Sequence, residues 1–336
     1  MKNKQALKFN SQNEVFIIAE IGNNHEGDYS IAKEMVYLAA SSGVNAVKFQ
    51  TINPDNLVTC SDTNRINQLR EFQLTNDQLN NLALYAKELD VIFFSTPFDI
   101  ESAKFLNQIQ EIFKIASGDN NFFPLIDQVF EFNKPTIIST GLADLQLLNI
   151  IYQRWKTLVK NPPLAFLHCV SSYPVPVKEA NLGAIHSLKL NFPDLIIGYS
   201  DHTLGIEASS LAVAAGAKII EKHFTLDKNY SQFRDHQLSA DPKEMKDLVK
   251  LIRKYESIIG DGIKKPQSCE QSIGKAVRRS IAASKDIPSG KSVTINDITW
   301  LRPGTGIEIG NENLIIGKSA KYPIRKGELL SLDMFI

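Results

Sequence analysis

The chain reads as an α/β protein, a (β/α)8 TIM barrel followed by a small, mostly-β module, and three observations carry that reading. Eight short β-branched or aromatic runs recur 20 to 45 residues apart. Segments of helical period fill the intervals, and polar residues collect at the carboxyl ends of the runs. At 336 residues, 43% apolar and 22% charged, the chain can bury a sizeable core. Lys+Arg and Asp+Glu both number 37, so net charge gives no footprint for nucleic acid or an anionic membrane. An anionic ligand must be caught by a local cluster.

The expected strands are 15–19, 46–49, 91–95, 112–115, 136–139, 164–169, 195–199 and 219–223. Helical period marks 31–40, where Ile31, Met35, Leu38 and Ala39 share a face, then 78–89, 101–109 and 206–215. Breaks at Gly43, Lys134-Pro135 and Gly216 end helices before the next strand. An open doubly wound sheet gives the same alternation. The barrel is preferred because Glu20, Lys48, Ser95, Lys114, Ser139, His168, Ser200 and His223 all fall at expected strand ends, as one ring of loops at a barrel mouth requires.

After Pro242 a last amphipathic helix spans 243–259. The barrel is expected over 1–260, a linker over 261–278 and the module over 279–336. In the module, Ile287-Pro288-Ser289-Gly290 with Val293 and Asp297 is echoed by Ile324-Arg325-Lys326-Gly327 with Leu330 and Asp333. The three cysteines, Cys60, Cys169 and Cys269, have no CxxC spacing, which points to a reducing, cytoplasmic setting rather than a disulfide framework. Residues 1–9 are polar and lysine-bearing, and no window approaches 18 consecutive apolar residues, so export and membrane insertion are not expected.

Three sets of residues can carry chemistry. His202 and His223 close neighbouring strands, either as hydrogen-bonded loop or core residues or as a pair of imidazoles ligating a divalent metal. Lys48 and Lys114 follow strongly apolar strands and need anionic partners, supplied either by internal carboxylates or by a phosphate and carboxylate ligand that Ser117 and Ser200 also hold. Glu20 and Asp119 are candidate acids or bases, or else merely neutralise those lysines. Asn23, Asn24 and His25 are expected to cap the following helix rather than to act in chemistry.

The segments FIIAEIGNNHEG, VKFQT, FFSTPFD, KIASGD, IISTG, LHCVSSYPVP, IGYSDHT and EKHFTLD occur in this order, and together the chain resembles the sialic acid synthase family. The tail KDIPSGKSVTINDITWLRPGTGI is similar to that family's antifreeze-like (SAF) domain. The resemblance implies condensation of phosphoenolpyruvate with the open-chain aldehyde of an N-acylated hexosamine such as N-acetylmannosamine, with release of phosphate. It implies a divalent cofactor, Mn2+ or Mg2+, held at His202 and His223, and phosphoenolpyruvate contacts at Lys48, Lys114, Ser117 and Ser200. Glu20 matches the carboxylate that activates water or a sugar hydroxyl. Gln50, Tyr173 and Asp235 match sugar-site residues, and Ser171 falls at a substrate-binding position where the phosphoenolpyruvate contact is shortened relative to some relatives. Arg302, on sequence alone a surface arginine, matches one that reaches the partner's barrel in a domain-swapped homodimer.

Three departures from the family pattern stand out. The His168-Cys-Val-Ser171 run lacks an Asn that some relatives carry. The loop Phe233-Arg234-Asp235-His236 replaces Gly-Pro-Asp and introduces Arg234. Asp119 stands where many relatives have Glu, one methylene longer. The runner-up acceptor is a 2,4-diacetamido-trideoxyhexose, giving a legionaminic-type acid, and a pseudaminic acid synthase is a further option. A non-catalytic sugar-acid binding protein predicts damaged ligands or lysines, and none is damaged. A Schiff-base aldolase would use Lys48 or Lys114 covalently.

Overall fold

The computed structural model describes residues 14–159 and 162–336; the reading of residues 1–9 lies outside them. The chain divides into two compact units, 1–260 and 261–336. In the first, β1 (Phe16–Gly22), β2 (Ala46–Thr51), β3 (Ile92–Pro97), β4 (Phe113–Ile115), β5 (Thr136–Ser139), β6 (Leu164–Cys169), β7 (Ile196–Asp201) and β8 (Ile219–His223) form one parallel sheet. Its order is β3-β2-β1-β8-β7-β6-β5-β4. The two ends, β3 and β4, lie against each other and close a TIM barrel. At this seam the buried Gln110 amide takes the place of a ladder, accepting from Ser95 N at 2.7 Å and donating to Ser95 O at 3.2 Å.

Alternation along each strand sorts the residues into two cores. Ile18, Ala46, Phe94, Ile112, Ile137, Ala165, Leu167 and Ile219 fill the barrel interior. The opposite faces, such as Ile17, Val47, Phe93, Phe113, Ile138, Phe166, Ile197 and Ile220, pack under the helices. The interior layer needs Gly198, because a Cβ there would lie 2.5 Å from both Ile219 O and Leu167 Cδ2. Strands run two or three residues past the expected ends at β1, β2, β3 and β7, where polar side chains, buried at β1, β3 and β7 and half-buried at β2, continue the ladder beyond the apolar runs.

The helix Tyr29–Ser41 is capped by Asp28, whose carboxylate accepts from Ser30 N and Ile31 N. Asn23, Asn24 and His25 are therefore not its caps, contrary to the sequence expectation. Asn24 instead donates to Phe224 O at 2.8 Å and Ser239 Oγ at 3.0 Å, tying the β1 loop to the β8 loop. The last barrel helix, Pro242–Ile259, starts at the Asp241 cap with Pro at its first position and buries Met245, Leu248, Val249 and Ile252. Among the described residues no helix is long and apolar enough to cross a membrane.

In the second unit, residues 261–278 carry the helix Gln271–Val277, and β9 (Ser280–Ala283) pairs antiparallel with β10 (Ile298–Leu301). Ile281, Ile287, Val293, Ile298, Ile315, Ile324, Leu330 and Phe335 make its core. The two echoed segments pair with each other: Ile287 and Ile324 exchange backbone hydrogen bonds at 2.9 Å. Asp297, almost fully buried, accepts from Lys291 at 2.5 Å, from Thr294 Oγ1 at 2.7 Å and pairs with Lys285 at 3.0 Å.

Candidate active site

The inward positions at the carboxyl end of the barrel are polar. Glu20, Lys48, Gln50, Thr96, Lys114, Ser200, Glu221 and His223 continue the same pleat as the apolar interior layer below them. Two members of the expected ring do not belong to it. Ser95 and His168 have the opposite parity: Ser95 Oγ bonds Thr51 Oγ1 at 2.7 Å, and His168 Nε2 meets Ala180 O at 2.9 Å behind the sheet.

Four charges meet inside. Lys48 Nζ lies 2.7 Å from Glu20 Oε2 and 3.7 Å from Glu221 Oε2, and Lys114 Nζ lies 3.3 Å from Glu221 Oε1. Ser200 Oγ donates to Glu221 Oε1 at 2.9 Å, and Lys48 donates to Thr96 Oγ1 at 3.2 Å. Gln50 donates to Glu20 Oε1 at 2.9 Å and accepts from Asn23 at 3.2 Å. Burial alone raises the Glu221 carboxyl, but Lys114 and Lys48 outweigh it and hold the group down to about 2. For Glu20 burial, helped by the charge of Glu221, wins over Lys48, and its carboxyl is raised. Burial lowers the Lys114 ammonium. Lys114 spends one of its three N–H donors on Glu221, its single carboxylate partner among the described residues.

Above this tetrad sit the imidazoles. The His202 and His223 ring centroids are 5.3 Å apart, and Tyr173 stacks 4.2 Å from His202 and stands edge-on 6.1 Å from His223. His202 Nδ1 bonds Val170 O at 2.9 Å and approaches Cys169 Sγ at 3.7 Å, and among the described residues Nε2 has no hydrogen-bond partner. His223 Nδ1 is buried without a hydrogen-bond partner among the described residues, 4.0 Å from Asp235 Oδ2. Burial and the surrounding cations push His223 well down, so it is a neutral imidazole. Behind the sheet, fully buried Asp201 accepts from Thr203 N and Oγ1 at 2.8 Å and Ser209 Oγ at 2.6 Å, and pairs with Lys222 at 3.3 Å. That network fixes the chain on either side of His202.

Ser117 and Ser171 converge on Gly141. Gly141 N donates to Ser117 Oγ at 3.1 Å, and a Cβ on Gly141 would lie 2.2 Å from Ser171 Oγ and 2.7 Å from Ser117 Oγ. Ser171 Oγ is buried with no hydrogen-bond partner among the described residues. Asp119 stands apart: among the described residues it makes no ion pair with either lysine, its Oδ2 is buried and unpartnered, and burial raises its carboxyl to about 6. Arg302 is an exposed residue of the second unit, just past β10. Sequence reasoning missed Glu221, Thr96, Gly141 and the Asp201–Lys222 pair. Strand parity was the available signal for Glu221, which is two residues before His223 on the same face.

The fold and this site define a class, a TIM-barrel protein with a polar catalytic-type mouth and a C-terminal SAF domain, which is matched over residues 278–336. The chain belongs to the NeuB family, matched over residues 35–264. It is 40% identical over 332 residues to the N,N'-diacetyllegionaminic acid synthase of Campylobacter jejuni, covering 94% of this chain and 98% of that protein. It is 35% identical over 346 residues to the pseudaminic acid synthase of the same species, covering 98% and 99%. The crystal structure of N-acetylneuraminic acid (sialic acid) synthetase from Leptospira borgpetersenii superposes with a TM-score of 0.74 at 38% identity, covering 77% of this chain and 90% of that one.

Proposed function

We propose that the protein is a phosphoenolpyruvate-dependent synthase that joins the three-carbon enol phosphate to an N-acylated hexosamine, with N-acetylmannosamine as the acceptor expected from sequence, to give a nine-carbon keto sugar acid and phosphate. The observation that carries this reading is the convergence of two buried ammonium groups, two carboxylates and two imidazoles at one barrel mouth. The second acceptor reading is a diacetamido sugar, favoured by the 40% identity to the N,N'-diacetyllegionaminic acid synthase of Campylobacter jejuni.

In this proposal Lys114, Lys48, Ser117, Ser171 and Ser200 hold the carboxylate and phosphate of the enol phosphate. C3 attacks the aldehyde carbon and the aldehyde oxygen takes a proton. C2, left oxocarbenium-like, accepts water, whose proton passes to a carboxylate; Glu20, with its raised affinity for protons, suits that role. The tetrahedral carbon then collapses by C–O cleavage and phosphate departs. Gln50, Tyr173 and Asp235 line the acceptor side. Asp119, with its raised carboxyl, is a further acid–base candidate at the edge of the Ser117 turn.

The donor set fits a divalent ion such as Mn2+ or Mg2+ in part. His223 Nδ1 is orphaned in a buried site and the His202 imidazole has its Nε2 unpartnered, both among the described residues. Among the described residues no group of three His, Cys, Asp or Glu side chains is arranged for a metal, so further ligands would come from substrate or water. When bound, such an ion supplies Lewis-acid polarisation of the aldehyde. A homodimer in which the partner subunit's Arg302 completes the sugar site, and a cytoplasmic location, belong to the same proposal.

Incubating the protein with phosphoenolpyruvate, Mn2+ and a panel of hexosamines tests it. Acceptor-dependent phosphate release supports the synthase. Its absence with every acceptor, while sugar acids still bind, supports a binding protein instead. Borohydride capture of pyruvate on Lys114 or Lys48 supports an aldolase.

A further inference from the structure

Beside the mouth the barrel unit has a cavity of about 650 Å3, lined by Glu26, Arg65, Gln68, Phe72, Phe233 and Arg234 among others. Its size lies in the range of small-molecule sites. From its lining a stack of side chains leads toward the imidazole pair: the Arg234 guanidinium sits 4.5 Å over the Tyr173 ring, and that ring lies 4.2 Å from His202. Arg234 donates through Nε to Asp235 Oδ1 at 3.2 Å. Among the described residues its two terminal nitrogens have no hydrogen-bond partner in the protein, so a fork of donors points away from Asp235. Phe72 and Phe233 meet edge to face at 5.2 Å and give the same cavity an apolar wall. Glu26 is held at the cavity wall through its Oε1, which meets Ser231 Oγ and, at 3.1 Å, His236 Nε2.

A donor fork beside an apolar wall is complementary to an acylamino group, whose carbonyl accepts hydrogen bonds and whose methyl seeks an apolar surface. We propose that this cavity is the subsite for a second acylamino substituent on the acceptor, with Arg234 bonding its carbonyl and Phe72 and Phe233 packing its methyl. The protein then prefers diacylated amino hexoses over singly acylated ones. Arg234 is a specificity-determining residue on this account. The inference rests on the acceptor reading above and narrows it.

The test compares kcat/KM for phosphate release with 2,4-diacetamido-2,4,6-trideoxymannose and with N-acetylmannosamine, in wild type, Arg234→Ala, Arg234→Gln and Phe233→Leu. Wild type should favour the diacetamido sugar, and that preference ratio should fall roughly tenfold or more in Arg234→Ala, the effect of losing a charged hydrogen bond. Arg234→Gln, which keeps a donor, should lie between. A ratio unchanged in Arg234→Ala overturns the proposal. So does a preference for N-acetylmannosamine 6-phosphate that Arg234→Ala abolishes, since the cavity would then be an anion site. Calorimetric titration of the diacetamido sugar reads the same subsite without turnover. If no acceptor supports phosphate release, the reaction assigned above fails, while binding that weakens in Arg234→Ala still upholds the subsite and binding that does not refutes it.

Discussion

Glu221→Gln tests the electrostatics of the barrel interior. The side chain keeps its shape, but one of the two carboxylates that neutralise Lys48 and Lys114 disappears, with the lysine nitrogens 3.7 and 3.3 Å away. A carboxyl held from 4.5 down to about 2 contributes about 3 kcal/mol at neutral pH. Leaving a buried charge unpaired costs about 3–5 kcal/mol in other proteins. At about 2–4 °C per kcal/mol for a domain this large, the melting temperature should fall by roughly 6–12 °C. The sign with pH follows: this contribution is whole above about pH 4.5 and is lost as pH falls toward 2. Wild type therefore loses stability over that window, and the variant lacks this part of the slope. Millimolar phosphate should return part of the loss in the variant by neutralising the freed lysines. Thermal unfolding by circular dichroism reads all three effects. A melting temperature within about 1 °C of wild type in phosphate-free buffer refutes the reasoning.

Four further outcomes follow from named contacts. His202→Ala and His223→Ala should each abolish phosphate release, because one imidazole cannot retain an ion at an open site; full, chelator-resistant turnover in both variants removes the metal assignment. Gly198→Ala should destabilise the barrel by about 1–3 kcal/mol in chemical denaturation, since the new methyl meets a backbone carbonyl at 2.5 Å. Hydrogen bonds from Lys291, Thr294 and Lys285 outweigh burial and hold the Asp297 carboxyl down, so stability of the second unit should fade as pH drops below the ordinary Asp range, and Asp297→Asn should flatten that loss in an acid titration followed at Trp300. Mixed Arg302→Ala and Lys114→Ala subunits should recover part of the activity that each lacks; confirmed heterodimers with no recovery count against sharing.

The fold was legible because barrel strands buried on both faces read as continuous apolar runs, and all eight were placed within three residues of their bounds. The module's echo was legible as well, and the structure gives it a physical meaning in the Ile287–Ile324 pairing. Ends of strands were harder. Glu20 and Asp201 lie inside strands because their buried backbone must stay paired, whatever the polarity of the side chain. Position at a strand end placed Lys48, Lys114 and His223 but could not separate the inward Ser200 from the outward Ser95 and His168. Only the pleat does that. Glu221 hid between two more conspicuous neighbours, Ile220 and His223, and Gly141 carries no side chain to announce the pocket it leaves open. The cap at Asp28 was missed because three polar residues precede it, and only backbone geometry shows which one the helix uses.

The central claim is that enol phosphate carbon and water meet at C2 within this one cluster. Running the reaction in H2 18O with phosphoenolpyruvate, Mn2+ and the acceptor, and weighing the phosphate released, asks this directly. Attack of water at C2 followed by C–O cleavage yields phosphate of unshifted mass, produced only when acceptor is present. Phosphate carrying the solvent label, or released at the same rate without acceptor, contradicts the account.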